Sequence, residues 1–269
     1  MTFPRIGFGV FVAASGLVSL PVTASPADIR VDLKSEQPGK TPARFEPIVG
    51  TWLVAQDNGE KVIMVDGRPW VASKDNPTRL LVETARKLYG VSNEELMDNA
   101  KQFAYYPVAV LRGVDNFTNG SITMKFKTIG GEADRCSGIL FNVKPNGEWL
   151  ALRYNDTENN VGLWEFHNGI RRNLRFSDRE KPFMLDRAAW HELKLVVDGA
   201  SVKGFLDGAS AIEYTLGVAP AAGRKGAPDP DLFPANNPVL RPPVVGKVGL
   251  WSKTDSTSYF KDYVISPQP

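Results

Sequence analysis

Cysteine and histidine are almost absent from this chain of 269 residues, which holds one cysteine, Cys136, and two histidines, His167 and His191. A lone cysteine excludes an intramolecular disulfide, and a chain of this length can bury enough apolar surface to fold without one. The three residues are too few and too scattered for any usual zinc-ligand spacing. Cys136 opens the strand-like run Ser137-Gly138-Ile139-Leu140-Phe141, where a buried, inert thiol is expected. An excess of one charge is missing too. Lys and Arg total 32 against 30 Asp and Glu, a formal net charge of +2. So balanced a surface exerts no global pull on nucleic acid, and nucleic acid is not expected as a partner.

Long apolar runs are confined to the start of the chain. Arg5 precedes an apolar run from Ile6 to Val18, and Val22-Thr23-Ala24 offers small residues suited to signal-peptidase cleavage. A spanning helix needs roughly 20 apolar residues. This run is shorter and is followed by Pro21. Residues 1–24 therefore read as a signal peptide, which makes the mature protein periplasmic or secreted, with no membrane association once it is cleaved.

Short strands fill most of the remainder. In Trp190-His191-Glu192-Leu193-Lys194-Leu195-Val196-Val197-Asp198-Gly199, Leu193, Leu195 and Val197 alternate with Glu192, Lys194 and Val196, the period of a strand buried on one face. Asp198-Gly199 turns the chain into a second strand ending at Phe205-Leu206-Asp207-Gly208. Ile122, Met124 and Phe126 alternate in the same way, as do Leu150, Leu152 and Tyr154. Val161 to Phe166, Gly169 to Phe176 and Ser258 to Ile265 continue the series, with turn signals at Pro145-Asn146-Gly147, Asn159-Asn160 and His167-Asn168-Gly169. Many short strands joined by hairpin-like turns predict an all-β antiparallel sandwich or barrel.

Two insertions interrupt the strands. Residues 77–103 are expected to be helical: Leu80, Leu81, Ala85 and Leu88 recur at helical spacing, and Ser92 with Glu95 forms a capping box stapled by Val91 and Leu96. Residues 219–245 hold seven prolines and read as a long loop. Residues 25–45, with Pro26, Pro38 and Pro42, read as a flexible or extended leader to a domain spanning 46–269.

Residues 136–166 and 190–265 resemble the laminin-G and concanavalin A-like sandwich group, especially its bacterial 3-keto-disaccharide hydrolase-like branch. The matching pieces include Ser137 to Phe141, Leu152-Arg153-Tyr154-Asn155 with Glu158-Asn159-Asn160, Trp190 to Leu193, Gly246-Lys247-Val248-Gly249-Leu250-Trp251, and Tyr259 to Tyr263. The resemblance implies a concanavalin A-like jelly roll whose concave face or rim binds saccharides. Its motifs specify construction more than activity. Glucanases of this class carry a Glu-x-Asp-x-x-Glu strand, which places three carboxylates on one face. Here Glu132 and Asp134 are followed by Ser137, so that motif is absent.

Sugar recognition needs aromatic faces for C–H surfaces and planar polar groups for hydroxyls. Arg153 and Asn155 share a strand face opposite Leu152 and Tyr154, with Glu158 and Asn160 at the following turn. These four, together with Trp164, Trp251 and Lys253, are the candidate ligand-binding residues; each tryptophan could equally fill the core. Catalytic residues stay unassigned, with Glu158, His167 and Asp255 as weak candidates of no diagnostic spacing. No cofactor is expected. Asn155, Asp156, Glu158 and Asn160 offer oxygens to calcium without the EF-hand pattern, and an acidic polar turn is the better account of them. The reading is a secreted carbohydrate-recognising sandwich. A hydrolase of 3-keto-glycosides or disaccharides and a non-catalytic structural or interaction domain are the alternatives.

Overall fold

A computed structural model of the protein describes residues 26–69, 106–145, 147–167, 170–218 and 242–268. In chain order the strands are β1 (Ile29–Arg30), β2 (Phe45–Val49), β3 (Thr51–Asp57), β4 (Glu60–Asp66), β5 (Val108–Leu111), β6 (Asn119–Gly130), β7 (Cys136–Val143) and β8 (Trp149–Asn155). They continue with β9 (Asn160–His167), β10 (Ile170–Phe176), β11 (His191–Asp198), β12 (Ser201–Leu206), β13 (Ala209–Thr215), β14 (Lys247–Trp251) and β15 (Thr257–Gln268). One sheet runs β13-β12-β11-β6-β15-β4-β3, with β1 added beside β15; the other runs β10-β9-β8-β7-β14-β5-β2. Every pairing is antiparallel. The expected all-β concanavalin A-like antiparallel sandwich is the fold observed.

Leu193, Leu195 and Val197 face Ile122 and Met124 of their own sheet and Leu150, Leu152 and Leu163 of the other, all in one core cluster. The two sheets differ on their outer faces. Strands of the eight-stranded sheet alternate between buried and half-exposed residues, whereas β7 and β8 are buried on both faces. On the outer face of the seven-stranded sheet a second apolar cluster gathers Tyr106, Trp149, Phe166, Trp251 and Cys136. A strand buried on both sides loses its alternation, as the near-continuous apolar run of β7 shows.

Tight hairpins use the turn chemistry the sequence supplies. Asn58-Gly59 and Asp207-Gly208 each place both residues at positive φ, the requirement of a two-residue type I′ turn. Of residues 25–45, read above as a leader, the stretch from 29 onward is instead stitched into the sandwich. Ile29 pairs with Ile265, Val31 N–H donates to Tyr263 O, and Gly39 and Lys40 exchange backbone hydrogen bonds with Val54. Phe45 is already core, so a domain boundary at residue 46 would cut through β2. The predicted helical insertion of 77–103 and most of the proline-rich loop, 219–241, lie outside the described residues.

Candidate functional site

Strand periodicity and pairing register together build the site. On β8, Leu152 and Tyr154 enter the core between the sheets, which turns Arg153 and Asn155 to the opposite face. Across the sheet, Arg153 lies between Gly138 of β7 and Gly162 of β9; beyond these come Trp251 of β14 and Phe176 of β10. The two glycines leave the room that the large side chains fill. A Cβ on Gly162 would stand 2.8 Å from Trp164 Nε1 and 3.3 Å from the Phe176 ring, and one on Gly138 would stand 3.1 Å from Trp251.

Arg153 is only 2% exposed. Its guanidinium donates to Asn160 Oδ1 at 2.7 Å and to Glu158 Oε2 at 2.8 Å, and lies 5.5 Å from the Trp164 ring centroid and 5.7 Å from that of Phe176. Asn160 Nδ2 also donates to Glu158 Oε2. A carboxylate, an amide oxygen and two aromatic rings replace the water that this enclosed guanidinium gives up. Burial by itself would raise the Glu158 pKa; the charge and hydrogen bond of Arg153, helped by Asn160 and Lys253, overcome it and hold the carboxyl below its ordinary value of 4.5. Glu158 stays accessible, its side chain 43% exposed. Beside it a pocket of about 360 Å³ is lined by Glu158, Asn159, Asn160, Phe176, Arg179 and Pro182.

Asn155 and Lys253 belong to an adjoining network rather than to this pocket. Asn155 Nδ2 donates to Asp134 Oδ1, Lys253 Nζ contacts both Asp134 oxygens at 2.9 and 2.8 Å, and Thr254 Oγ1 donates to Asp134 Oδ2. Asp255 accepts backbone N–H groups from Glu132, Ala133 and Asp134. Burial opposes its charge and those three donors outweigh it, so its pKa falls. The carboxylate is thus engaged in holding the Glu132–Asp134 turn. The loop oxygens considered for calcium do not converge. Asn155 Oδ1 accepts from Thr157 N–H, Asp156 pairs with Arg187, and Glu158 pairs with Arg153. Among the described residues no group of three acidic, histidine or cysteine side chains could hold a metal ion.

The remaining candidates separate by position. Trp164 is 8% exposed and Trp251 0%, so neither presents an open face. Trp251 stacks on Tyr106 within the outer apolar cluster, their centroids 5.8 Å apart. His167 ends β9 at its pairing with Ile170, at the opposite end of that strand from the turn that carries Glu158. His191 bonds Asp207 and the Asp186 carbonyl oxygen, closing the β11–β12 region as a structural residue. Cys136 is enclosed, and burial pushes its thiol up to about 12. Phe176, Arg179 and Asn159 were not singled out from sequence. Asn159 stood in the quoted turn, but Phe176 joins Arg153 only through the register of β8, β9 and β10, which no local pattern reveals.

No protein-family profile and no curated protein matches the chain. Solved structures do resemble it. A carbohydrate-binding module, CBM66 from Bacillus subtilis, aligns over 83% of this chain and 96% of its own with a TM-score of 0.51 and 12% identity. A native glycosidic hydrolase aligns over 92% and 99% with a TM-score of 0.48 and 12% identity, and a Bacillus subtilis protein with a galectin-like fold over 83% and 90% at 0.45 and 13%. Identity this low speaks to fold alone. The chain shares an antiparallel β-sandwich architecture with the Bacillus module.

Proposed function

We propose that the protein is a secreted or periplasmic carbohydrate-recognising sandwich, with its ligand seated in the pocket between Glu158 and Phe176. The observation that carries this reading is the ordered Arg153–Glu158–Asn160 cluster against aromatic rings, opening on one side to a pocket of about 360 Å³. An ionised carboxylate and side-chain amides accept and donate to hydroxyls, while the half-buried Phe176 ring offers a face to sugar C–H groups. The binding role of the similar Bacillus module agrees with this use of the fold. Secretion rests on the signal peptide read from residues 1–24.

Recognition without turnover is favoured over hydrolysis. Cleaving a 3-keto-glycoside needs a base beside the ketone and an acid at the leaving oxygen. Glu158 is the one carboxylate in the pocket lining, and Arg153 holds it ionised, which makes it a poor acid and a weakened base. Incubation of the mature protein with neutral and acidic glycans and 3-keto-glycosides, with binding followed by calorimetry and released sugar by chromatography, separates the two. Binding without release, weakened about tenfold by Glu158→Gln through loss of a charged hydrogen bond, is the expected result. Release of free sugar that Glu158→Gln abolishes would instead establish the hydrolase.

A further inference from the structure

Counting the enclosed Arg153 behind the lining, two guanidinium groups gather about one pocket carboxylate, Glu158. Arg153 and Glu158 form a closed pair, and both Arg153 and Asn160 donate to the same oxygen, Oε2. Arg179 also belongs to the lining, its guanidinium 4.9 Å from the Phe176 ring centroid. It is exposed, and among the described residues no carboxylate forms an ion pair with it. A guanidinium held over an aromatic ring by cation–π attraction keeps N–H groups to donate, and its fork matches the two oxygens of a carboxylate.

Resting on the carbohydrate reading above, we propose that this pocket selects acidic saccharides, with the carboxylate of a uronic acid held by Arg179 and ring hydroxyls held by Glu158 and Asn159. The same residues account for both halves of the specificity. Arg179 supplies a fork for the sugar carboxylate, and Glu158 is kept from repelling it because Arg153 already balances its charge at 2.8 Å. Phe176 serves both functions, since its ring carries the Arg179 guanidinium and borders the space the sugar would fill. A neutral sugar would use only the hydroxyl-binding half. Because Arg179 is exposed, its attraction is screened by salt, and the preference for acid over neutral sugar should shrink as ionic strength rises.

The test uses the full mature chain and calorimetric titration with trisaccharides of galacturonate, glucuronate and mannuronate and with their galactose, glucose and mannose counterparts. At least one acidic trisaccharide is expected to bind ten-fold or more tightly than its neutral counterpart. Arg179→Ala should erase that advantage and Arg179→Lys should restore only part of it, each advantage being read as the ratio of acidic to neutral affinity in the same variant, and neither should alter the melting temperature. If the acidic sugars bind wild type and Arg179→Ala equally, or if only neutral sugars bind, the assignment of Arg179 is overturned while carbohydrate recognition stands. If none of the six binds, recognition at this pocket is overturned with it.

Discussion

Arg153 shows how one residue can be central to a site and yet scarcely reachable. Period two puts it on the face opposite the core, but Gly138, Gly162, Trp164 and Phe176 enclose it there, so it acts on a ligand through Glu158 and Asn160. The electrostatic consequence is testable by pH. Folding lowers the Glu158 pKa below 4.5, so the stabilisation is fully present above that value and is lost as pH falls through the lower folded value. Asp255, also depressed, contributes with the same sign below its ordinary 3.8. Melting temperature followed from pH 7 downward should therefore fall across the acid range, and Glu158→Gln should flatten the part of that fall nearest pH 4.5. An unchanged profile would show that the Arg153 pair does not favour the ionised carboxylate in the folded chain. The parity of Arg153 was legible in sequence, whereas its enclosure was not, because the rings that cover it come from two other strands.

At the scale of the element, β9 is shaped by a glycine in the middle of its run. Gly162 has Val161 and Leu163 on either side pointing to the core, and its own missing side chain lets Trp164 and Phe176 meet at 5.7 Å. Gly162→Ala should cost about 1–3 kcal/mol by overpacking, measurable in urea unfolding, and should weaken sugar binding by moving Phe176. Full affinity with native stability would mean the neighbouring rings yield freely. Elsewhere the alternation of β6, β8 and β11 was readable because each turns apolar residues to the core every second position. The strands β3 and β4 passed unread, although Asn58-Gly59 between them is a strong hairpin signal.

For the whole molecule, the largest departure from the sequence reading is the beginning of the described chain. Proline content made residues 25–45 look like a leader, yet β1 pairs with β15 beyond the stretch that β4 covers, and Leu33 and Phe45 enter the core. Deleting residues 1–44 should lower the melting temperature by several degrees, because burying each large apolar side chain contributes about 1.5–3 kcal/mol and each kcal/mol corresponds to about 2–4 °C at this chain length. A truncated protein that melts with the full chain would show the segment to be dispensable. Sequence alone determined the all-β class and the facing of Arg153, Leu152 and Leu193, since strand periodicity is local chemistry written every second residue. Only the tertiary structure decided that Trp251 is packed away, that Asp255 braces a turn, and that Glu158, Phe176 and Arg179 share a pocket. Those outcomes depend on which strands pair and in what register, and pairing is set by the summed burial of distant residues rather than by any short stretch of the chain.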